Sequence, residues 1–499
     1  MSNIKKLAGE TAVYGLSSIV GRLLNYLLVP IYTRVFVPEE YGIVTELYAY
    51  AAFFNVIYTY GMETAYFRFA SRSTEEEIKI FNVSTTSLLI SSIFFSFLLI
   101  VFSTPIVNAL NYQGREYYII WLALILAIDA IMAVPFAKLR LEKKALQFAT
   151  AKLVNIGLNL GLNLFFIVFS RNIYEGNILQ ELKPYILWVY NPAFGVEYVF
   201  ISNLIANAML FFLLWKVIKR IRLEFDWNFL KPMLIYAYPL LFMGLAGTTN
   251  EMLSRAMLKY LLPEGFYGDQ SNLAALGVFG ACYKLSVFMT LAIQAFRYAS
   301  EPFFFSKAQD KQSPQLFSKV MHWFVIVCCF IFLGVSINID IIGLLLGMPE
   351  YREGLYVVPI LLLANLFLGI YFNLSIWFKL TDNTHYGTWI SFGGAAITII
   401  FNIILIPVLG YLGSALVTLL CYFSMSVASY ILGNKFYPIP YGLKTSLAYI
   451  TGTAIIVYLV LSVKIDSQFI ATSFHFFVLA LYVILVVMLE KIYLKFNRI

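Results

Sequence analysis

The sequence predicts an all-α polytopic membrane protein with about 14 transmembrane helices, and three observations predict this class. The 499 residues are 61% hydrophobic and only 12% charged, and the mean hydropathy is +0.80. Apolar stretches follow one another with short gaps, and each reaches the roughly 20 residues that a helix needs to cross a bilayer. A β-barrel is excluded because these stretches are continuous and do not alternate.

The apolar stretches divide the chain into predicted spans whose ends are defined to within a few residues. The first span is the least apolar, because it carries Arg22 and Asn25. The predicted spans are Thr11–Phe36, Ile43–Met62, Ile80–Pro105, Tyr118–Lys138, Phe148–Ser170, Val196–Val217, Met233–Leu262, Ala274–Tyr298, Lys319–Ile339, Gly354–Lys379, His385–Leu409, Tyr411–Gly433, Leu443–Val463 and Phe469–Ile492.

Basic residues indicate which loops face the cytoplasm, where Lys and Arg accumulate. With both termini placed inside, 25 of the 35 basic residues fall on the cytoplasmic side and 3 lie within spans. The 7 that fall outside are Arg34, Arg115, Arg171, Lys183, Lys259, Arg352 and Lys464. One missed span would invert every later loop and remove this asymmetry. The even number of spans and the cytoplasmic termini therefore support each other. The net charge of +8 reflects topology and contact with anionic lipid headgroups, so no nucleic-acid partner is expected.

Several kinds of chemistry are not expected from the motifs. The four cysteines lie within spans as small core residues, the three histidines have no ligand spacing, and no phosphate-binding loop is present, so neither a metal nor another cofactor is predicted. The longest polar gap, about Arg171–Gly195, contains aromatic residues that are expected at the membrane interface. These residues are Tyr185, Trp188, Tyr190 and Phe194.

An internal repeat is indicated by short motifs that recur in the same order. The segment from Arg34 to Gly42 resembles that from Lys259 to Gly268, and the heptapeptides that begin at Gly42 and Gly277 also correspond. Six spans per repeat give both halves the same orientation, as in several transporter folds. The predicted organisation is a six-helix lobe over 1–220, a second six-helix lobe over 231–440 and two additional helices over 441–499.

Ionisable residues at membrane depth are costly, and they usually face a cavity or a partner. The predicted cationic cavity between the lobes contains Arg22, Arg255 and Lys284, which suit an anionic ligand such as a pyrophosphate. Three acidic residues are candidates for coupling-ion carriers or counter-ions, and Glu251 lies four residues before Arg255 on the same helical face. These are Glu46, Asp129 and Glu251. The alternative is that each charge is neutralised locally and only orients helices.

An ordered set of motifs resembles bacterial Wzx-type polysaccharide flippases of the multidrug/oligosaccharidyl-lipid/polysaccharide exporter superfamily. The motifs are Gly15–Arg22, Pro30–Arg34, Pro38–Gly42, Gly61–Arg68, Leu345–Gly354, Pro359–Ala364, Asn402–Pro407 and Gly410–Ala415. The resemblance implies two six-helix lobes around a central cavity. It also implies transport of undecaprenyl-pyrophosphate-linked oligosaccharides from the cytoplasmic to the periplasmic leaflet of the bacterial inner membrane, beside a polysaccharide polymerase and a chain-length regulator.

The resemblance also bears on the cationic site. Related lipid II flippases have basic residues in the cavity on helices one, two, seven and eight. Arg22, Arg255 and Lys284 match helices one, seven and eight by position, whereas helix two carries Glu46. The leading function is a lipid-linked oligosaccharide flippase, with a drug/cation antiporter or a lipid II flippase as the alternative. A membrane-embedded glycosyltransferase is disfavoured because no large loop with clustered acidic residues is present.

Overall fold

A computed structural model describes the chain over residues 15, 19–72, 76–307, 310, 312–381, 383–463 and 465–496. Every regular element within these ranges is a helix, which confirms the all-α class. Ten of the described helices are long and apolar enough to cross a membrane, and a pair of helices bent by 46° at its break makes an eleventh. The chain is therefore a multi-pass membrane protein.

Three of the 14 predicted spans have counterparts that fall short of this criterion. The start of the first, at Thr11, lies outside the described residues. The second corresponds to the helix Pro38–Thr59, which carries three glutamates, and the sixth contains the 17-residue helix Glu197–Leu213. The number 14 therefore stays a prediction.

The described α-helices range from 4 to 35 residues, and the longest contains Pro232 and Pro239. The helices α1 to α13 are Leu28–Val35, Pro38–Thr59, Met62–Ala70, Glu77–Val101, Ser103–Ala109, Tyr117–Leu141, Ala145–Asn163, Arg171–Glu175, Lys183–Ile186, Glu197–Leu213, Trp215–Ile218, Trp227–Leu261 and Asn272–Leu285. The helices α14 to α22 are Val287–Lys307, Ser313–Ile337, Ile339–Gly343, Val358–Leu374, Ile376–Leu380, His385–Leu409, Tyr411–Phe436, Leu443–Ser462 and Gln468–Phe496. A π-helix, Leu164–Ser170, continues α7, and 3-10 helices form at Gln180–Leu182 and Pro349–Val357.

The helices form two compact units. The first unit comprises Met1–Ala281, Gly347–Tyr351 and Thr388–Val417, and the second comprises Cys282–Leu346, Arg352–Gly387 and Thr418–Ile499. The predicted lobe boundaries at 220, 231 and 440 stay a prediction, because the units follow compactness and not the repeat.

In the first unit, α2 begins where the sequence places Pro38. Proline suits the first helical position, where its missing N–H costs no hydrogen bond. The carboxylate of Glu40 accepts a hydrogen bond from the backbone N–H of Val37 at 3.2 Å, which closes the helix start. A large apolar core lies between α3, α4, α6, α10 and α12, and buried Tyr66, Phe81 and Met233 belong to it.

Two glycines at corresponding positions of the predicted repeat bring α2 and α13 into backbone contact. A Cβ atom added to Gly42 would collide with the carbonyl group of Leu273, four residues before Gly277. A Cβ atom added to Gly277 would collide with the carbonyl group of Pro38, four residues before Gly42. The two contacts exchange under a local two-fold rotation. This symmetry is the one expected of helices at equivalent places in a repeat.

The second unit is held together by buried polar contacts as well as apolar packing. The indole N–H of Trp377 donates to the carbonyl oxygen of Ser429 at 3.1 Å, which joins α18 to α20. The carboxylate of Glu490 on α22 contacts His322 on α15 at 2.9 Å and accepts from the hydroxyl of Tyr449 on α21 at 2.7 Å. The last two helices are therefore linked to the rest of this unit by side chains.

Asparagines within spans make interhelical hydrogen bonds, as a bilayer environment favours. The amide of Asn402 donates to the hydroxyl of Ser254 at 2.9 Å, and that of Asn250 donates to the carbonyl oxygen of Ser391 at 3.2 Å. In the second unit, Asn365 bonds in the same way. All four cysteines are buried, which confirms their expected place in the core.

Candidate functional site

A polar stripe runs along one face of α7 in the first unit. Its members are Lys152, Asn155, Asn159 and Asn163, whose spacings of three, four and four residues place them on one helical face. The stripe is about 16 Å long at 1.5 Å per residue. The hydroxyl of Tyr32 on α1 donates to Asn163 Oδ1 at 2.8 Å, so the stripe is joined to the first described helix at one end.

Near its other end, the stripe meets Asp129, which lies in the middle of the apolar helix α6. The carboxylate accepts from the amide of Asn207 on α10 at 2.9 Å. The amide of Asn155 in turn donates to Asn207 Oδ1 at 3.1 Å. The Asp129 side chain is exposed, and a carboxylate at this depth is stable only beside water or polar groups. Asp129, Asn207 and Asn155 are thus joined by hydrogen bonds into one polar cluster that connects α6, α10 and α7.

The position of Arg22 relative to this stripe follows from its neighbour. Gly21 lies against Ile156 of α7 so closely that an added Cβ would be 2.6 Å from the Ile156 side chain. Arg22 is exposed in the helical turns over 19–26. The structure thus brings the helical turn that carries the first predicted cation beside α7.

The second predicted cation, Arg255, is buried in α12 at 6% exposure. Its Nη2 donates to the carbonyl oxygen of Glu251 at 3.5 Å. The contact therefore involves the backbone of Glu251, and the carboxylate of this residue is part of an exposed side chain. The hydrogen bond between Asn402 and Ser254 lies directly beside Arg255.

The third predicted cation, Lys284, lies in the second unit. It is half-buried in the last turn of α13, next to the break before α14. The predicted meeting of Lys284 with Arg22 and Arg255 in one cavity stays a prediction.

Glu46 is wholly buried on α2 and is held by a complete set of donors. Its Oε2 lies 2.8 Å from the ammonium of Lys259 and also accepts from the hydroxyl of Tyr112. Its Oε1 accepts from the hydroxyls of Tyr260 at 2.7 Å and Tyr50 at 3.3 Å. We call these five residues the Glu46 cluster. Because both carboxylate oxygens accept hydrogen bonds and one contacts the Lys259 ammonium, the cluster joins α2 to α12.

Lys259 lies near the end of α12, which continues to Leu261, and its side chain is 9% exposed. Its expected position on the outer side of the membrane stays a prediction. Its Nζ also donates to the carbonyl oxygen of Leu110 at 2.8 Å. In the sequence, the signal for this buried ion pair was the neighbouring pair Lys259 and Tyr260 at the end of an apolar helix.

A metal site is not indicated in the part of the chain that the structure describes, where no three His, Cys, Asp or Glu side chains are grouped to hold an ion. The described site residues can instead hold hydroxyl groups and charged groups through Asn, Asp, Arg and Lys side chains. Such a set suits binding and transfer across a membrane.

Comparisons with known proteins agree with this description. Residues 31–175 match the family model described as polysaccharide biosynthesis protein. The solved structure of the lipid II flippase MurJ in an inward closed conformation is similar with a TM-score of 0.73 at 14% identity, over 96% of this chain and 99% of that chain. No curated protein matches this chain.

Multidrug transporters share the same fold. An inward-facing MATE family transporter of the MOP superfamily matches with a TM-score of 0.63 at 13% identity, over 87% of this chain and 96% of that chain. A Vibrio cholerae MATE transporter matches with a TM-score of 0.56 at 14% identity, over 86% and 96% of the two chains. The fold is thus shared with a lipid II flippase and with MATE transporters. The proteins that share it here are named as transporters or flippases and not as enzymes.

Proposed function

We propose that this chain is a flippase that moves an undecaprenyl-pyrophosphate-linked oligosaccharide across the bacterial inner membrane. The match of residues 31–175 to a polysaccharide biosynthesis family and the fold shared with a lipid II flippase support a lipid-linked glycan as the substrate. The observation that carries the proposal is the polar stripe with Asp129, which supplies hydrogen-bonding groups at membrane depth. The chain would lie with both termini in the cytoplasm.

Hydroxyl groups need such a surface. Moving a hydroxyl from water into hydrocarbon without a partner costs roughly 2–7 kcal/mol, and an oligosaccharide carries many hydroxyls. Amides of asparagine can both donate to and accept from a sugar hydroxyl. A path along the stripe would therefore remove most of this cost while the prenyl tail stays in lipid.

The pyrophosphate is expected to bind the cations. Arginine binds phosphate oxygens with two parallel hydrogen bonds, and Arg255 is buried where such a contact is poorly screened. We propose that Arg22, Arg255 and Lys284 hold the pyrophosphate during alternating access. Glu46, Asp129 and Glu251 are the proposed counter-ions or ion carriers. The complete donor set of Glu46 favours a structural role for that residue, whereas the exposed Asp129 is better placed to take up a proton or cation.

The test is export of surface glycan in cells that lack their own flippase for it. Arg255→Glu is expected to abolish export while membrane insertion and expression remain normal, because charge reversal would repel the pyrophosphate. Arg72→Glu, at an exposed position in the loop before α4, is the matched control and is expected to retain export. Full export by a variant with alanine at Arg22, Arg255 and Lys284 would contradict the cationic site.

A second candidate function is a drug/cation antiporter, because the MATE transporters share the fold and Asp129 is exposed at mid-span. It predicts efflux of a cationic dye that depends on Asp129 and does not require the glycan pathway. A lipid II flippase is the other alternative, and growth of cells depleted of their own lipid II flippase would distinguish it. The proposed flippase is expected to support neither activity. A polymerase and a chain-length regulator are its proposed partners.

A further inference from the structure

We propose that a pocket at one end of the first unit binds a single sugar ring of the transported glycan after it has crossed the membrane. The pocket lies where α1 ends, α2 begins and the π-helix leads into α8. It has a volume of about 270 Å³, slightly below the roughly 300 Å³ at which pockets for drug-sized ligands begin. The inference rests on the proposed function, because it takes the transported substrate as the ligand.

The floor of the pocket is a stack of three aromatic rings. The rings of Phe166 and Tyr198 lie 4.6 Å apart at 10°, and those of Tyr198 and Tyr190 lie 5.3 Å apart at 11°. Phe166 belongs to the π-helix, a rare type of helix that is frequently found at functional sites. The stack makes a rigid base, because each ring is fixed by its neighbour.

The rim of the pocket combines half-buried rings with charged groups. Tyr174 and Phe194 line it and are half-buried, so part of each ring remains available for contact. Arg171 Nε donates to Glu175 Oε1 at 2.8 Å, and Arg171 Nη1 donates to the carbonyl oxygen of Val35 at 3.3 Å. Both charged side chains are 44% exposed, and they can therefore reach a ligand.

This combination fits a sugar better than an ion. A pyranose ring has an apolar C–H face that packs on an aromatic ring, and a rim of hydroxyls that both donate and accept. Arg171 supplies donors, whereas Glu175 and Glu40 supply acceptors. The two carboxylates outnumber the guanidinium, which disfavours a phosphate or an anionic lipid headgroup. Two other cavities, with Leu47 in the first unit and Val325 in the second, are lined almost entirely by apolar side chains.

The location agrees with a role after transport. The charge pattern of the sequence places Arg34 and Arg171 on the outside of the membrane, at the ends of the first and fifth predicted spans. A weak sugar contact at this level would favour release of the glycan on that side without holding it. The pocket is separate from the proposed pyrophosphate site.

The experiment uses the full chain, purified in lipid nanodiscs, and saturation-transfer NMR with the methyl glycosides of glucose, galactose, rhamnose and N-acetylglucosamine. At least one glycoside is expected to show contact, and Tyr174→Ala is expected to lower its affinity roughly fivefold, the scale of one aromatic contact. Gly195→Leu is expected to act likewise by filling the pocket, since an added Cβ there would lie 3.8 Å from Glu40 Oε1. Tyr185→Ala is the matched control, because Tyr185 is 73% exposed on the same connection and does not line the pocket.

The outcomes separate this inference from the proposed function. Equal signals in wild type, Tyr174→Ala and Gly195→Leu, or no signal with any glycoside, would overturn the sugar pocket even if export depends on Arg255. Contact by tetramethylammonium in place of the glycosides would also overturn it, in favour of a cation site. Binding that is lost in both pocket variants and kept in Tyr185→Ala would support the pocket even if the chain fails to export glycan.

Discussion

Removing the charge of Lys259 is expected to destabilise the protein strongly, because it would leave the Glu46 carboxylate buried without a cation. Glu46 is 0% exposed, and its Oε2 is 2.8 Å from Lys259 Nζ. Breaking a buried pair by deleting one partner costs about 3–5 kcal/mol, whereas replacing both partners by neutral groups is often close to neutral. Lys259→Met is therefore expected to cost about 3–5 kcal/mol.

The companion variants make this a double-mutant cycle. Glu46→Gln alone is also expected to destabilise, because it leaves the Lys259 ammonium with only the carbonyl oxygen of Leu110 and neutral groups. The double variant Glu46→Gln/Lys259→Met is expected to recover at least about 2 kcal/mol relative to the sum of the two single variants. The hydroxyls of Tyr112 and Tyr260 can still donate to the glutamine oxygen.

The assay is thermal or denaturant unfolding of the purified chain in one detergent, followed by tryptophan fluorescence. Lys219→Met is the control, because it removes a lysine charge from an exposed position and is expected to change stability little. Additive effects of the two single variants, with a coupling energy below about 0.5 kcal/mol, would refute the reasoning that the pair acts as a unit.

Three further outcomes are expected. Gly277→Ala should prevent stable insertion, because the added methyl group would collide with backbone, whereas Gly393→Ala, with open space around it, should fold normally; equal expression levels would contradict the close crossing. Trp377→Phe should lower stability by about 1 kcal/mol for the lost hydrogen bond and more for the smaller ring, and an unchanged unfolding midpoint would argue against that bond. The hydrogen bond from Lys79 lowers the pKa of Asp226. Wild type should therefore be more stable than Asp226→Asn at pH 6, and this difference in stability should disappear as the pH falls below about 4. A difference that persists unchanged at pH 3 would exclude this pair as its source.

Much of the fold could be predicted from the sequence, because the bilayer core requires every spanning segment to satisfy its own backbone hydrogen bonds. Runs of about 20 apolar residues must be helical, and the ten helices that satisfy this rule coincide with predicted spans. The sixth span fell short by length alone, because its apolar helix has 17 residues, whereas the second span carries acidic side chains. The helix Pro38–Thr59 carries charge that is neutralised by the Glu46 cluster, and such a partner cannot be recognised from local composition.

The candidate site was predicted less completely, since partners distant in sequence decide what a polar residue does. Asp129 was recognised as an unusual charge, but its bond to Asn207 crosses 78 positions. Lys259 pairs with Glu46 across 213 positions, and its place at a helix end resembles that of a lysine reaching for water. Tyr190 was expected at the membrane interface, which stays a prediction, but its stacking on Tyr198 at 6% exposure depends on a partner that the sequence did not indicate.

The crossing of Gly42 and Gly277 sets a limit on how α2 and α13 can move against each other. Where two backbones are in direct contact, no side chain lies between them that could adjust its rotamer to keep the contact as the helices move. The helices can therefore rotate about this point, but any separation there breaks the contact. Thr59, at the far end of α2, is 17 residues or about 26 Å along the helix from the crossing. A swivel of only about 10° would therefore carry that end through about 4–5 Å, roughly half the 8–10 Å between packed helix axes. Because Gly42 and Gly277 have no Cβ atom, the two helices can touch at this point, and a small rotation about it moves the far end of α2 by several ångströms.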